Sequence, residues 1–189
     1  MSTPKNAVRS ISTSEKAFRR AAAADLIEFF YPVHYEIGTA LEDVVRADRL
    51  SRQQAATLWL IRSQGGPDAR MRRKDIELNL RRWFEVTNAA VSKSLRALMR
   101  PPLALIAITE DPHSGREKVV ALTPKGRAFL DSAAARATNL LAELIEKAPP
   151  DILDHAITYF THLTGAFENF QHRDRLRLVR SDREIKDQY

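Results

Sequence analysis

Two proline signals bracket the stretch that most restricts how this chain can fold. Pro101-Pro102 ends a helical segment, and Thr123-Pro124 sets a capping threonine before a proline at the first helical position, where its missing N–H is harmless. Between them lies Leu103-Ala104-Leu105-Ile106-Ala107-Ile108-Thr109, apolar, partly β-branched and short enough for a strand. Glu110-Asp111-Pro112-His113-Ser114-Gly115 is turn material, and Arg116 to Leu122 reads as the returning strand of a hairpin.

Everything around that hairpin reads as helix. Ser12 and Glu15 form a capping box, followed by Phe18, Ala22, Phe29, Val33, Ile37, Leu41 and Val44 at helical spacing. This predicts a long amphipathic helix ending near Arg49, kinked or split at Pro32. Ser51 and Gln54 cap a second helix that stops at Gly65-Gly66-Pro67. Asp75 is expected to cap a short third helix carrying Ile76, Leu80, Trp83 and Phe84. After a tight turn at Glu85-Val86, Thr87 caps a fourth helix from Asn88 to about Arg100. The helix opened by Pro124 runs to about Lys147. Ala148-Pro149-Pro150 breaks the chain, and Asp151 is expected to cap a last helix with Ile152, Ile157, Phe160, Leu163, Phe167 and Phe170.

Composition excludes several classes. With 44% hydrophobic and 29% charged residues among 189, the chain can bury a core. The absence of cysteine removes disulfides, thiolate zinc sites and thiol redox switches. No apolar run approaches the ~20 residues that span a bilayer, and the polar stretch Met1–Ser14 lacks a secretory leader's apolar core. The expectation is a cytoplasmic protein with no membrane association. Gly-x-Ser-x-Gly, His-Glu-x-x-His and phosphate-loop motifs are all missing, so no enzyme is expected. His155 and His162, seven apart on one helix, stand about 10.5 Å apart along its axis and cannot share an ion unaided. Asp151 and Asp154 are accounted for by helix-start electrostatics. Neither a metal nor a cofactor is expected.

The net charge of +6 is not spread evenly. Residues 62–127 hold 14 Lys/Arg against 7 Asp/Glu, and the rest of the chain is close to neutral. A concentrated excess of this kind suits a surface that meets phosphates, although a solvated basic face would show the same balance. In the fourth helix Val91, Leu95 and Leu98 share one side, while Ala89, Lys93, Arg96 and Arg100 fall opposite, with Ser92 flanking. Such a helix can bury one side and offer the other to a major groove. Asn88, Ala89, Ser92, Lys93 and Arg96 are the candidates for base contact, with Thr87 and Arg100 at the helix ends. Arg72, Arg73, Arg116 and Lys118 are the candidates for phosphate contact. The hairpin, with His113 at its turn and Arg116 and Lys118 on its second strand, can lie along the flanking minor groove.

The run Leu80-Arg81-Arg82-Trp83-Phe84-Glu85-Val86-Thr87-Asn88-Ala89-Ala90-Val91-Ser92-Lys93-Ser94-Leu95-Arg96-Ala97-Leu98 resembles the helix-turn-helix of the MarR (multiple antibiotic resistance regulator) family. Asp111-Pro112-His113-Ser114-Gly115-Arg116 and Leu122-Thr123-Pro124-Lys125-Gly126 resemble that family's wing and its entry to the next helix. The resemblance extends over roughly Tyr31 to Phe170. Glu85 replaces the usual turn glycine, and Pro101-Pro102 the usual glycine after the recognition helix. Ser114 stands where an acidic residue is common, and Leu105-Ile106 where a cation is usual.

The resemblance implies a mainly α fold with a small β-hairpin wing: a winged helix-turn-helix flanked by long dimerisation helices. The expected organisation is a flexible N-terminus (1–14), an N-terminal dimerisation helix (15–49) and a DNA-binding lobe (50–122). C-terminal dimerisation helices (123–172) and a charged tail (173–189) follow. Phe29, Phe30, Phe160, Phe167 and Phe170 would line a homodimer interface, unless both ends pack within one chain. The family often holds a small aromatic effector between its lobes. Tyr31, His34, Tyr35 and Trp59 are the candidates here, and core or interface packing is the competing account of the same side chains. The expected activity is that of a transcription regulator, a repressor acting on a palindromic operator in double-stranded DNA. The alternative is a winged helix used as a protein-interaction module without sequence-specific readout.

Overall fold

The computed structural model describes the backbone of residues 12–111 and 114–173, with the side chains of all of these except 115, 116 and 168–173. His113, the side chains of Arg116 and Phe170, and most of the predicted N-terminal and C-terminal tails therefore lie outside the described residues. The fold is mostly helical with one small antiparallel sheet. In chain order it runs α1 (Thr13–Pro32), a π-helical segment (Val33–Gly38), α2 (Thr39–Arg46), α3 (Arg52–Gln64), β1 (Arg70–Arg72), α4 (Arg73–Trp83) and α5 (Asn88–Met99). There follow β2 (Ile106–Asp111), β3 (Ser114–Leu122), α6 (Pro124–Ile145) and α7 (Pro150–Arg173). The chain divides into two compact units after Leu141.

Pro32 does not stop the first helix but changes its winding. Proline removes one backbone donor and crowds the carbonyl four residues back. The Val33 N–H is shared between the carbonyls of Phe29 and Phe30, and the wider π winding begins there. The helix then ends three residues earlier than the periodicity suggested, with Ala47 in the left-handed region (φ 49°). At the other end Ser12 accepts from the Glu15 N–H, but the Glu15 carboxylate bonds Arg19 rather than turning back, so the capping box is half made. At α3 both halves of the box are present between Ser51 and Gln54.

Three further expectations need correction. Asp75 lies in the first turn of α4, whose cap is Arg72 in extended conformation with no side-chain capping bond. Asp151 likewise lies inside the first turn of α7, where the Pro149 carbonyl accepts from Ile152 and Leu153. Strand β2 begins at Ile106 and continues to Asp111, later at both ends than the apolar run implied. Leu103 to Leu105 instead form the approach to the sheet, with the Leu105 N–H bonded to the Leu98 carbonyl.

The sheet has the order β1-β3-β2, so the predicted hairpin gains an unpredicted third strand. Arg70, Met71 and Arg72 pair with Ala121, Val120 and Val119. The register between β2 and β3 slips at Glu110/Asp111, a bulge close to the hairpin's end. The core sits between this sheet and helices α3 to α6. Leu58, Leu60 and Ile61 from α3 meet Ile76 and Leu80 from α4, Val91, Leu95 and Leu98 from α5, Ile106 and Val120 from the sheet, and Leu130 from α6. Gly126 lets α6 start against the approach to β2, since a Cβ there would stand 2.0 Å from the Leu105 carbonyl oxygen. Thr123 fixes the same junction by accepting from the Gly126 N–H and donating to the Ala104 carbonyl.

Outside this core the helices bury little. Helix α1 has no buried residue, and Phe29 and Phe30 are 66% and 57% exposed. In the second unit α7 exposes Ile152, Ile157, Phe160, Leu163 and Phe167.

Candidate nucleic-acid interface

Helix α5 begins where Thr87, in extended conformation, accepts from the Ala90 N–H. Its inner side is fixed by Val91, Leu95 and Leu98, each essentially without solvent contact. That burial sets the rotation of the helix. Thr87, Asn88, Ala89, Lys93, Arg96 and Arg100 are consequently exposed, and among the described residues Lys93, Arg96 and Arg100 form no ion pair.

Ser92 is half-buried at the edge of that outer face. Its hydroxyl accepts from the Arg73 guanidinium at 2.7 Å, and Arg73 also pairs with Glu77 at 2.8 Å. Arg72, the last residue of β1, faces Glu117 of β3 at 3.3 Å and Asp111 of β2 at 3.9 Å, and Lys74 also pairs with Glu117. Arg72 and Arg73 are thus each engaged by carboxylates of their own chain. With Lys74, Glu77, Glu117 and Lys118 they line an open cleft of about 350 Å³. Arg73 joins this cleft to α5, because Ser92 shares a helical face with Ala89 and Arg96.

The sequence reading placed Arg72, Arg73 and Lys118 in this region but missed Lys74, Glu77 and Glu117. The signal was faint. A three-residue strand gives too short a run for alternation to show, and without β1 nothing sets Glu117 opposite Arg72 and Lys74. Lys118 is exposed on β3.

The effector candidates divide. Tyr31 stacks on Tyr35 with ring centroids 5.6 Å apart, and His34 meets Tyr35 edge-on at 4.7 Å and stacks on Phe30 at 5.6 Å. At i,i+4 spacing these rings form one exposed ladder along the helix. Trp59 is not part of it; its ring carries the Arg62 guanidinium at 5.7 Å. Among the described residues no group of three His, Asp or Glu side chains could hold a metal ion, and no helix is long and apolar enough to cross a membrane.

Residues 50–126 match a family described as a winged helix DNA-binding domain, a binding domain rather than a catalytic one. No curated protein matches the chain by sequence. Among solved structures, the chain is similar to a MarR family transcription regulator at 18% identity, with a TM-score of 0.59 over 83% of this chain and 97% of that one. A transcriptional regulator from Thermotoga maritima aligns at 16% identity and TM-score 0.55, covering 84% of this chain and 99% of its own. MepR, a transcription regulator of the Staphylococcus aureus multidrug efflux pump MepA, aligns at 18% identity and TM-score 0.51, covering 82% and 99%. Residues 50–126 thus match a winged helix DNA-binding domain, and the chain shares its fold with solved MarR family transcription regulators.

Proposed function

We propose that this protein is a sequence-specific, dimeric DNA-binding transcription regulator, a repressor that occupies a palindromic operator. The observation that carries this reading is the outer face of α5, where Asn88, Ala89, Lys93 and Arg96 stand exposed on a helix whose rotation is fixed by a fully buried inner side. In this reading Lys93 and Arg96 reach guanine acceptors or phosphate, Asn88 reaches adenine or phosphate, and Ala89 lies against thymine methyl groups. Thr87, Arg100 and Lys118 bind the flanking backbone, with His113 and Arg116 contributing from the wing.

The homodimer is supported by the apolar side chains that α1 and α7 each leave in water, among them Phe29, Phe30, Phe160 and Phe167. A two-fold pair would set two recognition helices about one turn of DNA apart, ~34–36 Å. The aromatic ladder Tyr31, His34 and Tyr35 is the proposed seat of a small aromatic effector, with Trp59 placed separately. The organisation into dimerisation helices (15–49 and 123–172) around a DNA-binding lobe (50–122) belongs to the same proposal. Trp83, half exposed at the end of α4, favours one competing use, docking of a protein on the winged helix.

Selection of bound fragments from random DNA tests the reading. An inverted repeat is expected, with affinity falling steeply as salt rises because phosphate contacts release counterions. Recovery of unrelated sequences, or affinity indifferent to salt, overturns it.

A further inference from the structure

The cleft between α4 and β3 presents cations that already hold an anion of their own. Glu117 receives Lys74 and, at 3.3 Å, Arg72, while Glu77 receives Arg73. Four cations and two carboxylates line the space, and Lys118 has no ion pair among the described residues. A carboxylate gripped by a guanidinium and an ammonium occupies the arrangement that a phosphodiester, with its two unesterified oxygens, would occupy in its place. Arg72 and Lys74 are more than half exposed, so their pairs with Glu117 are weak and readily exchanged. The cleft also borders the outer face of α5 through the Arg73–Ser92 bond, where the backbone of a duplex entered by that helix would pass.

We propose that this cleft is a masked seat for a DNA phosphate, and that Glu117 is its built-in counter-ion, displaced when the backbone arrives. The proposal rests on the DNA-binding reading and adds to it a residue that sets affinity without touching a base. Glu117 lowers the strength of sequence-independent binding, because every phosphate that enters must first compete with it. A nonspecific site offers few other contacts to offset that competition, so the mask raises the contrast between operator and bulk DNA.

The test uses the full chain and a fluorescent mixed-sequence duplex, with affinity read by anisotropy across a salt series. E117Q is expected to bind about threefold to tenfold tighter than wild type at moderate salt. Adding R72Q and K74Q should abolish that gain, which a general loss of negative charge would not require. E110Q, at an exposed carboxylate of the same wing, should change affinity less. Equal thermal midpoints for E117Q and wild type confirm a shared fold. Unchanged or weaker binding by folded E117Q, or a gain that survives R72Q and K74Q, overturns the mask and leaves the regulator reading standing. Wild type that binds no duplex at low salt overturns both. Inorganic pyrophosphate is titrated in parallel. If it binds E117Q tightly while the duplex gains nothing, the cleft takes small anions and the proposal fails.

Discussion

The winged domain and the helices on either side of it place their apolar residues in opposite ways. Between Leu50 and Ala133 most of the large aliphatic side chains of α3, α4, α5 and the sheet are shut away from water, with Leu78 of α4 the exposed exception among the described leucines. In α1 and α7 phenylalanines of the same helical periodicity stand in it. Both patterns follow the 3.6-residue repeat, so the repeat alone does not say where a face is buried. The domain carries its own complement: α3 to α6 and a sheet close over one core. The flanking helices carry half of one.

The sharpest way to break that contrast is to cut one side chain from each region. Leu95→Ala removes a fully buried residue from α5 and should cost about 2–5 kcal/mol of unfolding free energy, measured by denaturant titration. Phe160→Ala on α7 should leave the unfolding of dilute monomer within about 0.5 kcal/mol of wild type. Its effect should appear instead in sedimentation, as a shift from dimer to monomer. Comparable losses of monomer stability from the two changes would mean that α7 packs on its own chain, and the contrast would vanish.

A second comparison concerns charge. Arg96 on α5 and Arg20 on α1 are both exposed arginines, yet only the first lies on the face proposed to meet DNA. Arg96→Ala should weaken operator binding by about 1–3 kcal/mol and relax sequence preference, as loss of a base-reading arginine does. Arg20→Ala should alter affinity little. If both changes weaken binding equally, the positive charge acts as a diffuse field and α5 reads nothing.

The domain was legible in the sequence because its elements are punctuated. Ser51, Gln54, Thr87 and Thr123-Pro124 mark helix starts by hydrogen bonds that the structure contains. The α5 face was legible because Val91, Leu95 and Leu98 admit one rotation of that helix. Two kinds of feature escaped. Local signals misplaced Asp75 and Asp151, since an aspartate favours the first turn of a helix almost as much as its cap. Strand β1 exists only through its pairing with β3, and the charge cluster of Arg72, Lys74 and Glu117 exists only through β1. Nonlocal pairing leaves no periodic mark on three residues, so the paired charges of the cleft could not be read from the chain.

The mildest prediction probes how the first region hands over to the second. Helix α2 ends with Ala47 at φ 49° and ψ 38°, a conformation that crowds Cβ against the following carbonyl. Its N–H still closes the helix by bonding the Asp43 carbonyl. Glycine carries no such penalty at a left-handed helix end. Ala47→Gly should therefore stabilise the chain by up to about 1 kcal/mol, the crowding relieved being partly offset by glycine's greater freedom when unfolded. The change should raise the thermal midpoint without touching DNA affinity, because the site lies before the first core residue, Leu50. A lowered midpoint would show that the junction between α2 and α3 draws its angle from the alanine methyl itself, and that the first helices are tied to the domain more firmly than their exposure indicates.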